Sequence, residues 1–137
     1  MKLSEVKLSM KEQTKTWLKY ADENLQSAKI LLESDLFNPC LQNVQQAIEK
    51  MLKAVLVESG IKIKKTHSIN ELVAILAENN VGIDIEEDER DLIDSIYLPS
   101  KYPVGSVLPD FEPDMKICLQ CVAIAERLRE SIRRLLS

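Results

Sequence analysis

The sequence contains few of the residues that interrupt helices, with three glycines and five prolines among 137 residues. Aromatic residues make up only 4% of the chain, although aromatic and β-branched side chains are the ones that strands favour. Leucine, isoleucine, alanine, glutamate and lysine are abundant instead, and most of these residue types favour helices. The composition therefore predicts an all-α protein.

Long hydrophobic runs are also missing. No apolar stretch approaches the roughly 18 residues that a membrane span needs, and the first residues, MKLSEVKLSMKEQ, alternate charged and short apolar pieces. Apolar residues make up 45% and charged residues 29% of the chain, with a net charge of −4. These values are typical of one globular domain. They argue against a protein that coats nucleic acid, and we expect a cytoplasmic location.

Histidine and cysteine are too few for the common metal and redox sites. The chain has one histidine, His67, and three cysteines, of which Cys118 and Cys121 form a C-x-x-C pair. A closed zinc site would need all four of these residues. Both members of the pair lie in a helical apolar pattern, so we expect them to pack in the core rather than to exchange electrons. The sequence predicts no metal site and no cofactor, and it contains no GxGxxG, GxxxxGK[ST], HExxH or GxSxG motif.

Apolar residues recur at spacings of three and four in several segments, which is the period of an amphipathic helix. The pattern predicts an up-and-down bundle of four main helices plus one short helix. We expect a single domain of residues 14–137 after an N-terminal arm of residues 1–13. The predicted helices cover residues 14–34, 38–60, 68–80, a segment that ends before Pro99, and 113–136.

The second helix carries a polar row beside its apolar stripe. Asn38 is a candidate N-cap and Pro39 a candidate first residue, while Gly60 is placed to end the helix. Spacings of four, three and four put the polar residues on one face. This row consists of Gln42, Gln46, Glu49 and Lys53.

A basic turn follows the second helix and leads into Ser68, a candidate N-cap whose partner in a reciprocal capping box is Glu71. The turn contains three lysines, Lys62, Lys64 and Lys65, and the last of them is followed directly by Thr66 and His67. Positive charge beside a helix N-terminus could hold an anion such as phosphate. The alternative is that Thr66 and His67 only fix the turn, and both interpretations remain open.

These features together resemble the HEPN domain family. The resemblance is carried by Trp17 with the stripe up to Leu32, by the run QQAIEKMLKA at residues 45–54, by KTHSI at residues 65–69, and by Lys101-Tyr102-Pro103. It spans nearly the whole chain from Trp17. It implies a five-helix bundle that commonly dimerises, and it implies a minimal nucleotidyltransferase as the partner, in some cases as a toxin–antitoxin pair.

The resemblance also implies a ribonuclease activity in many members, which use an arginine followed four to six residues later by histidine. None of the five arginines here is followed by a histidine. Lys101 stands where the family has arginine in an RYP element, and lysine lacks the planar fork that binds phosphate in a bidentate manner. The missing pair argues against catalysis.

We therefore expect a non-catalytic, dimeric module that binds a nucleotide, a partner nucleotidyltransferase, or both. The alternatives are a metal-independent ribonuclease toxin with a degenerate site, and a purely structural interaction protein. No catalytic residue is assigned. The candidate residues for binding a nucleotide or partner are Gln42, Gln46, Glu49, Lys53, Lys65, Thr66, His67, Lys101 and Tyr102.

Overall fold

The computed structural model describes residues 10–101 and 112–137, except for the side chains of residues 97–101. The described part contains five helices, which we number α1 to α5, and the predicted all-α bundle is confirmed. Their bounds are Glu12–Glu33, Phe37–Glu58, Ile69–Glu78, Glu87–Lys101 and Met115–Leu136. None of these helices is both long enough and apolar enough to cross a bilayer.

Helix α2 is the centre of the bundle and packs against all four other helices. The apolar stripe of α2 is fully buried, as its spacing predicts, and includes Leu41, Ile48 and Met51. A three-residue connection makes α1 and α2 an antiparallel hairpin, and α5 packs against both helices. Any polar side chain that α2 carries at the edge of this core is therefore held by a rigid element.

The ends of α2 differ in how well the sequence predicts them. The helix begins at Phe37 after Leu36, so Asn38 is not its N-cap and Pro39 is its third residue. Proline is tolerated there because first-turn N–H groups have no partner within the helix. At the other end Gly60 has a φ of 72°, and Ile61 N donates to Leu56 O at 2.9 Å. This left-handed helix end is the predicted one.

One further prediction about helix bounds is wrong. Helix α4 does not end before Pro99 but continues to Lys101, since proline removes only one donor from the final turn. The first residue of α5, Met115, is 40% exposed, because it lies at the helix end where fewer neighbours cover it. Cys118 and Cys121 are buried, as expected, and Cys40 is buried as well.

Candidate functional site

The centre of the candidate site is a buried carboxylate on α2. Glu49 is only 4% exposed, and it lies where the polar row of α2 meets the turn before α3. Its oxygen Oε2 accepts a hydrogen bond from Lys53 Nζ at 2.7 Å, and Oε1 lies 3.0 Å from His67 Nδ1. Gln45 Nε2 also donates to Oε1, at 3.2 Å. The side chains of Lys53, His67 and Gln45 thus share one carboxylate, and these contacts with Glu49 fix their positions.

The surroundings of Glu49 determine its protonation. Burial alone would raise the pKa of its carboxyl. The hydrogen bonds from Lys53, His67 and Gln45, together with the positive charge of Lys53, outweigh this effect and lower the pKa below its usual value. Glu49 is therefore ionised at neutral pH and acts only as a hydrogen-bond acceptor.

Gln45 completes the buried part of this network and is itself 1% exposed. Besides its bond to Glu49, its Nε2 donates to the backbone oxygen of His67 at 3.2 Å, while its Oε1 accepts from Gln46 Nε2 at 3.0 Å. The amide thereby ties the turn before α3 to the middle of α2. Sequence analysis did not select Gln45 as a site residue, although its spacing of four from Glu49 is the signal that indicates such a pair on a helix.

Lys53 contacts an aromatic ring as well as a carboxylate. Its side chain is 12% exposed, and its Nζ lies 5.7 Å from the ring centroid of Trp17 on α1. This distance is within the range of a cation–π contact. Because Glu49 already neutralises its charge and Trp17 covers it, Lys53 contributes little net positive charge to the surface.

A second lysine follows the same arrangement one turn earlier on α2. Lys50 Nζ donates to Asn24 Oδ1 at 2.7 Å and lies 6.0 Å from the ring centroid of Tyr20, which is 48% exposed. Its partner among the described residues is a neutral amide rather than a carboxylate, and Asn24 in turn donates to Asn43 at 2.9 Å. Among the residues that the structure describes, Lys50 is therefore the cation of this surface whose charge no carboxylate compensates, and sequence analysis did not select it.

The turn before α3 has a structural organisation of its own. Thr66 Oγ1 donates to Glu71 Oε2 at 2.7 Å and accepts from Ser68 N at 3.1 Å, and Lys64 pairs with Glu71. Ser68 Oγ accepts from Glu71 N, which is the predicted half of the capping box. The predicted reciprocal bond from Ser68 N to Glu71 is not made, because Thr66 provides the acceptor. Thr66 therefore has a complete role in fixing the turn.

The N-terminus of α3 is already occupied by an internal anion. The carboxylate of Asp94 on α4 accepts from Ile69 N at 2.6 Å, from Asn70 N at 3.1 Å and from Ser68 Oγ at 3.0 Å. Of the two interpretations of the turn, the one in which these backbone groups hold an external phosphate is excluded for this reason. An anion that binds near His67 therefore cannot use the N–H groups of Ile69 and Asn70.

The structure brings together only some of the predicted site residues. Glu49, Lys53 and His67 are in direct contact, and Gln46 joins them through Gln45. Gln42 is half-buried on the same helix and takes no part in the hydrogen bonds of this network, and Lys65 lies exposed in the turn. The Lys101 side chain and Tyr102 lie outside the described residues.

We call the two sets of contacts around Glu49 and around Lys50, which are consecutive residues of α2, the α2 network: Trp17, Tyr20, Asn24, Gln45, Gln46, Glu49, Lys50, Lys53 and His67. It combines aromatic rings, amides, one buried carboxylate and lysines on a rigid helix pair. Among the described residues, no group of three or more histidine, cysteine, aspartate or glutamate side chains is arranged to hold a metal ion. An open groove of about 560 Å³ lies elsewhere, along α1 beside Arg129. Arg129 is paired with Asp22 there, so we place the candidate site at the α2 network, which has the buried charged residue.

Comparison with known proteins places the chain in a family. A family model described as the HEPN domain matches residues 14–135. A protein named "Putative toxin MJ1304" from Methanocaldococcus jannaschii is 37% identical over 51 residues, which cover 37% of this chain and 34% of that relative. The chain therefore matches about a third of the length of that relative.

Solved structures agree in fold. A crystal structure of TT1696 from Thermus thermophilus superposes with a TM-score of 0.73 and 23% identity, covering 90% of this chain and 98% of the other. A HEPN domain protein from Thermotoga maritima gives a TM-score of 0.67 at 23% identity, covering 88% of this chain and 97% of the other. At this level of identity the likeness concerns the fold alone.

Proposed function

Since this chain belongs to the HEPN domain family, we propose that it is a non-catalytic, nucleotide-binding module of a cytoplasmic toxin–antitoxin-like pair, and that its α2 network is the binding surface. The observation that carries the proposal is the buried, ionised Glu49, which holds Lys53, His67 and Gln45 in fixed positions. Sites that need preformed geometry are supported in this way by buried hydrogen bonds. A helix whose only role was to complete the bundle would not need a buried carboxylate at this position.

The chemistry of the surface fits a nucleotide. Tyr20 offers an exposed ring on which a base can stack, and base–aromatic stacking tolerates any base. The amide of Gln46 can hydrogen-bond the edge of a base. Lys50, whose charge no carboxylate compensates in the network, is the cation best suited to a phosphate.

Isothermal titration of the protein with ATP tests this proposal. We expect saturable heat for the wild-type protein and clearly weaker binding for Lys50→Ala, because removal of the cation leaves the phosphates without a partner. Lys19→Ala is a matched control, since Lys19 is an exposed lysine on α1 outside the network. Absence of heat with ATP at millimolar concentration would refute nucleotide binding.

The partner is proposed on different grounds. The family resemblance and the toxin-named relative support a toxin–antitoxin-like pair, in which a minimal nucleotidyltransferase would bind this chain and the chain itself would form a homodimer. Coexpression with the product of the neighbouring gene, followed by affinity purification, tests the pair. Sedimentation velocity at tens of micromolar protein tests the dimer. We expect a stable complex in the first experiment and a dimer in the second, and a monomer would refute the dimer.

One observation favours a ribonuclease as a second candidate function. His67 Nδ1 bonds to the buried Glu49, and an imidazole oriented by a carboxylate is a common general base. Such a base could take a proton from the 2′-hydroxyl of RNA, but a second group must then stabilise the charge on phosphorus. Lys65 is the exposed cation nearest to His67 in sequence. If purified protein leaves RNA intact to the same extent as His67→Ala, this candidate is eliminated.

A further inference from the structure

A row of side-chain hydrogen bonds connects α1 and α2 beside the ring of Tyr20. Lys50 Nζ donates to Asn24 Oδ1 at 2.7 Å, and Asn24 Nδ2 donates to Asn43 Oδ1 at 2.9 Å. The row ends where Asn43 Nδ2 donates to the backbone oxygen of Pro39, also at 2.9 Å. We call Lys50, Asn24 and Asn43 the amide relay. All three are half-buried, so the relay holds them between two helices.

The direction of the amide relay is fixed at both of its ends. The ammonium of Lys50 can only donate, so Asn24 must turn its oxygen toward it. The backbone oxygen of Pro39 can only accept, so Asn43 must turn its nitrogen toward it. The bond between the two amides then runs from Asn24 to Asn43. Turning either amide round would bring two donors or two acceptors together, and the relay therefore has a single arrangement.

This direction determines which groups the amide relay leaves for a ligand. Each amide oxygen already accepts one hydrogen bond from within the relay. Each amide nitrogen, in contrast, uses one of its two N–H groups, and the ammonium of Lys50 uses one of its three. The relay therefore offers N–H donors together with one positive charge. Such a set is complementary to an oxyanion, whose oxygens only accept and carry negative charge.

We propose that Asn24 and Asn43 are positioning residues that fix Lys50 in a phosphate site, and that the ligand class is a nucleoside polyphosphate rather than a nucleoside. The ring centroid of Tyr20 lies 6.0 Å from Lys50 Nζ, and Tyr20 is 48% exposed. One nucleotide can therefore contact both residues, with its base on the ring and its phosphates on the relay. A free polyphosphate has the same oxygens but cannot use the ring. This inference rests on the proposed nucleotide binding.

Calorimetry with ATP, adenosine and tripolyphosphate tests the ligand class on the wild-type protein. We expect ATP to bind at least about tenfold more tightly than adenosine, because charge-assisted hydrogen bonds contribute a factor of this order. We also expect ATP to bind more tightly than tripolyphosphate, which cannot stack on Tyr20. Added salt should weaken the binding of ATP and leave that of adenosine unchanged.

The outcomes separate this inference from the proposed function. Equal binding of ATP and adenosine would overturn the phosphate site and leave nucleotide binding intact. Equal binding of ATP and tripolyphosphate would overturn the nucleoside part of the ligand class. Absence of ATP binding would refute the proposed function and this inference with it.

Asn24→Leu and Asn24→Asp test the positioning role. Leucine has nearly the same size but makes neither amide bond, so Lys50 loses its fixed position. Aspartate would pair with Lys50, neutralise its charge and place a negative oxygen beside the phosphates. We expect ATP binding to fall several-fold in Asn24→Leu and at least about tenfold in Asn24→Asp, while adenosine binding stays as in the wild type. A merely structural role of Asn24 would weaken both ligands alike, so the ratio of the two affinities is the deciding measurement.

Gln26→Glu is the matched control for Asn24→Asp. It adds the same charge to α1, but Gln26 is exposed and lies two residues further along the helix, which is about 200° around its axis. ATP binding by this variant should equal that of the wild type. If Asn24→Leu keeps the wild-type preference for ATP over adenosine, or binds both ligands more weakly to the same extent, the positioning role is overturned. If Asn24→Asp fails to fold, Asn24→Leu alone decides the question.

Discussion

The ion pair between Glu49 and Lys53 should be strongly coupled, and a double-mutant cycle can measure this coupling. In Glu49→Leu the ammonium of Lys53, whose side chain is 12% exposed, loses its carboxylate and keeps only the ring of Trp17. Breaking a buried pair by removing one partner costs ~3 kcal/mol of unfolding free energy or more. Lys53→Met should cost less, about 1–2 kcal/mol, because Glu49 keeps its bonds to His67 and Gln45.

The double variant distinguishes a coupled pair from two independent contacts. With both charges replaced by apolar side chains, the loss should be about 1 kcal/mol, since buried pairs can be exchanged for apolar residues at little cost. The coupling free energy is then at least ~3 kcal/mol. Urea unfolding of the four proteins gives the values. The exposed pair of Glu130 and Arg133 is the control and should show no measurable coupling. A double variant whose loss equals the sum of the single losses would refute the buried network.

The remaining predictions concern pH, helix capping and thiol chemistry. The pKa of the Glu49 carboxyl is lowered in the folded protein, so Glu49 contributes fully to stability above its ordinary pKa of 4.5. This contribution is lost as the pH falls through the pKa of the folded protein. Urea midpoints measured between pH 6 and 3 should therefore fall less steeply in Glu49→Gln than in the wild type. Asp94→Ala should lower the unfolding free energy, measured with urea, by about 2–3 kcal/mol, because it removes an acceptor shared by two backbone N–H groups of α3. Asp91→Ala is the control: it removes one exposed hydrogen bond, to Asn70, and should cost well under 1 kcal/mol. Burial raises the pKa of the Cys118 thiol to about 12. Ellman's reagent should therefore label the three buried cysteines only at the rate at which the protein unfolds. Rapid labelling of the native protein would contradict this prediction.

Much of the fold follows from the sequence because it depends on periodicity. The stripe that includes Leu41, Ile48 and Met51 identifies the buried face of α2 regardless of its neighbours. Gly60 identifies the end of that helix because its left-handed φ favours glycine. The beginning of α2 could not be predicted in the same way, since Leu36 precedes the helix without a side-chain cap and Asn38, two residues later, has the better capping side chain.

The candidate site was predictable only in part, because spacing along one helix does not reveal contacts between helices. Glu49 and Lys53 were identified from their helical period, and the pair is formed. Gln45 was missed because it borders the apolar stripe, and its burial depends on the position of the turn before α3. Lys50 was missed because its partners lie on α1; one of them, Asn24, is 26 residues away in the sequence. The occupation of the α3 N-terminus by Asp94 likewise depends on how α4 packs.

The central claim is that the α2 network binds a nucleotide, and two unique side chains report on it most directly. Trp17 is the only tryptophan and His67 the only histidine of the chain, and they lie at opposite ends of the contacts around Glu49 and Lys53. A titration with ATP followed by nuclear magnetic resonance should shift the Trp17 indole and the His67 imidazole signals together, with one dissociation constant. If both signals stay unchanged up to millimolar ATP, the account is contradicted.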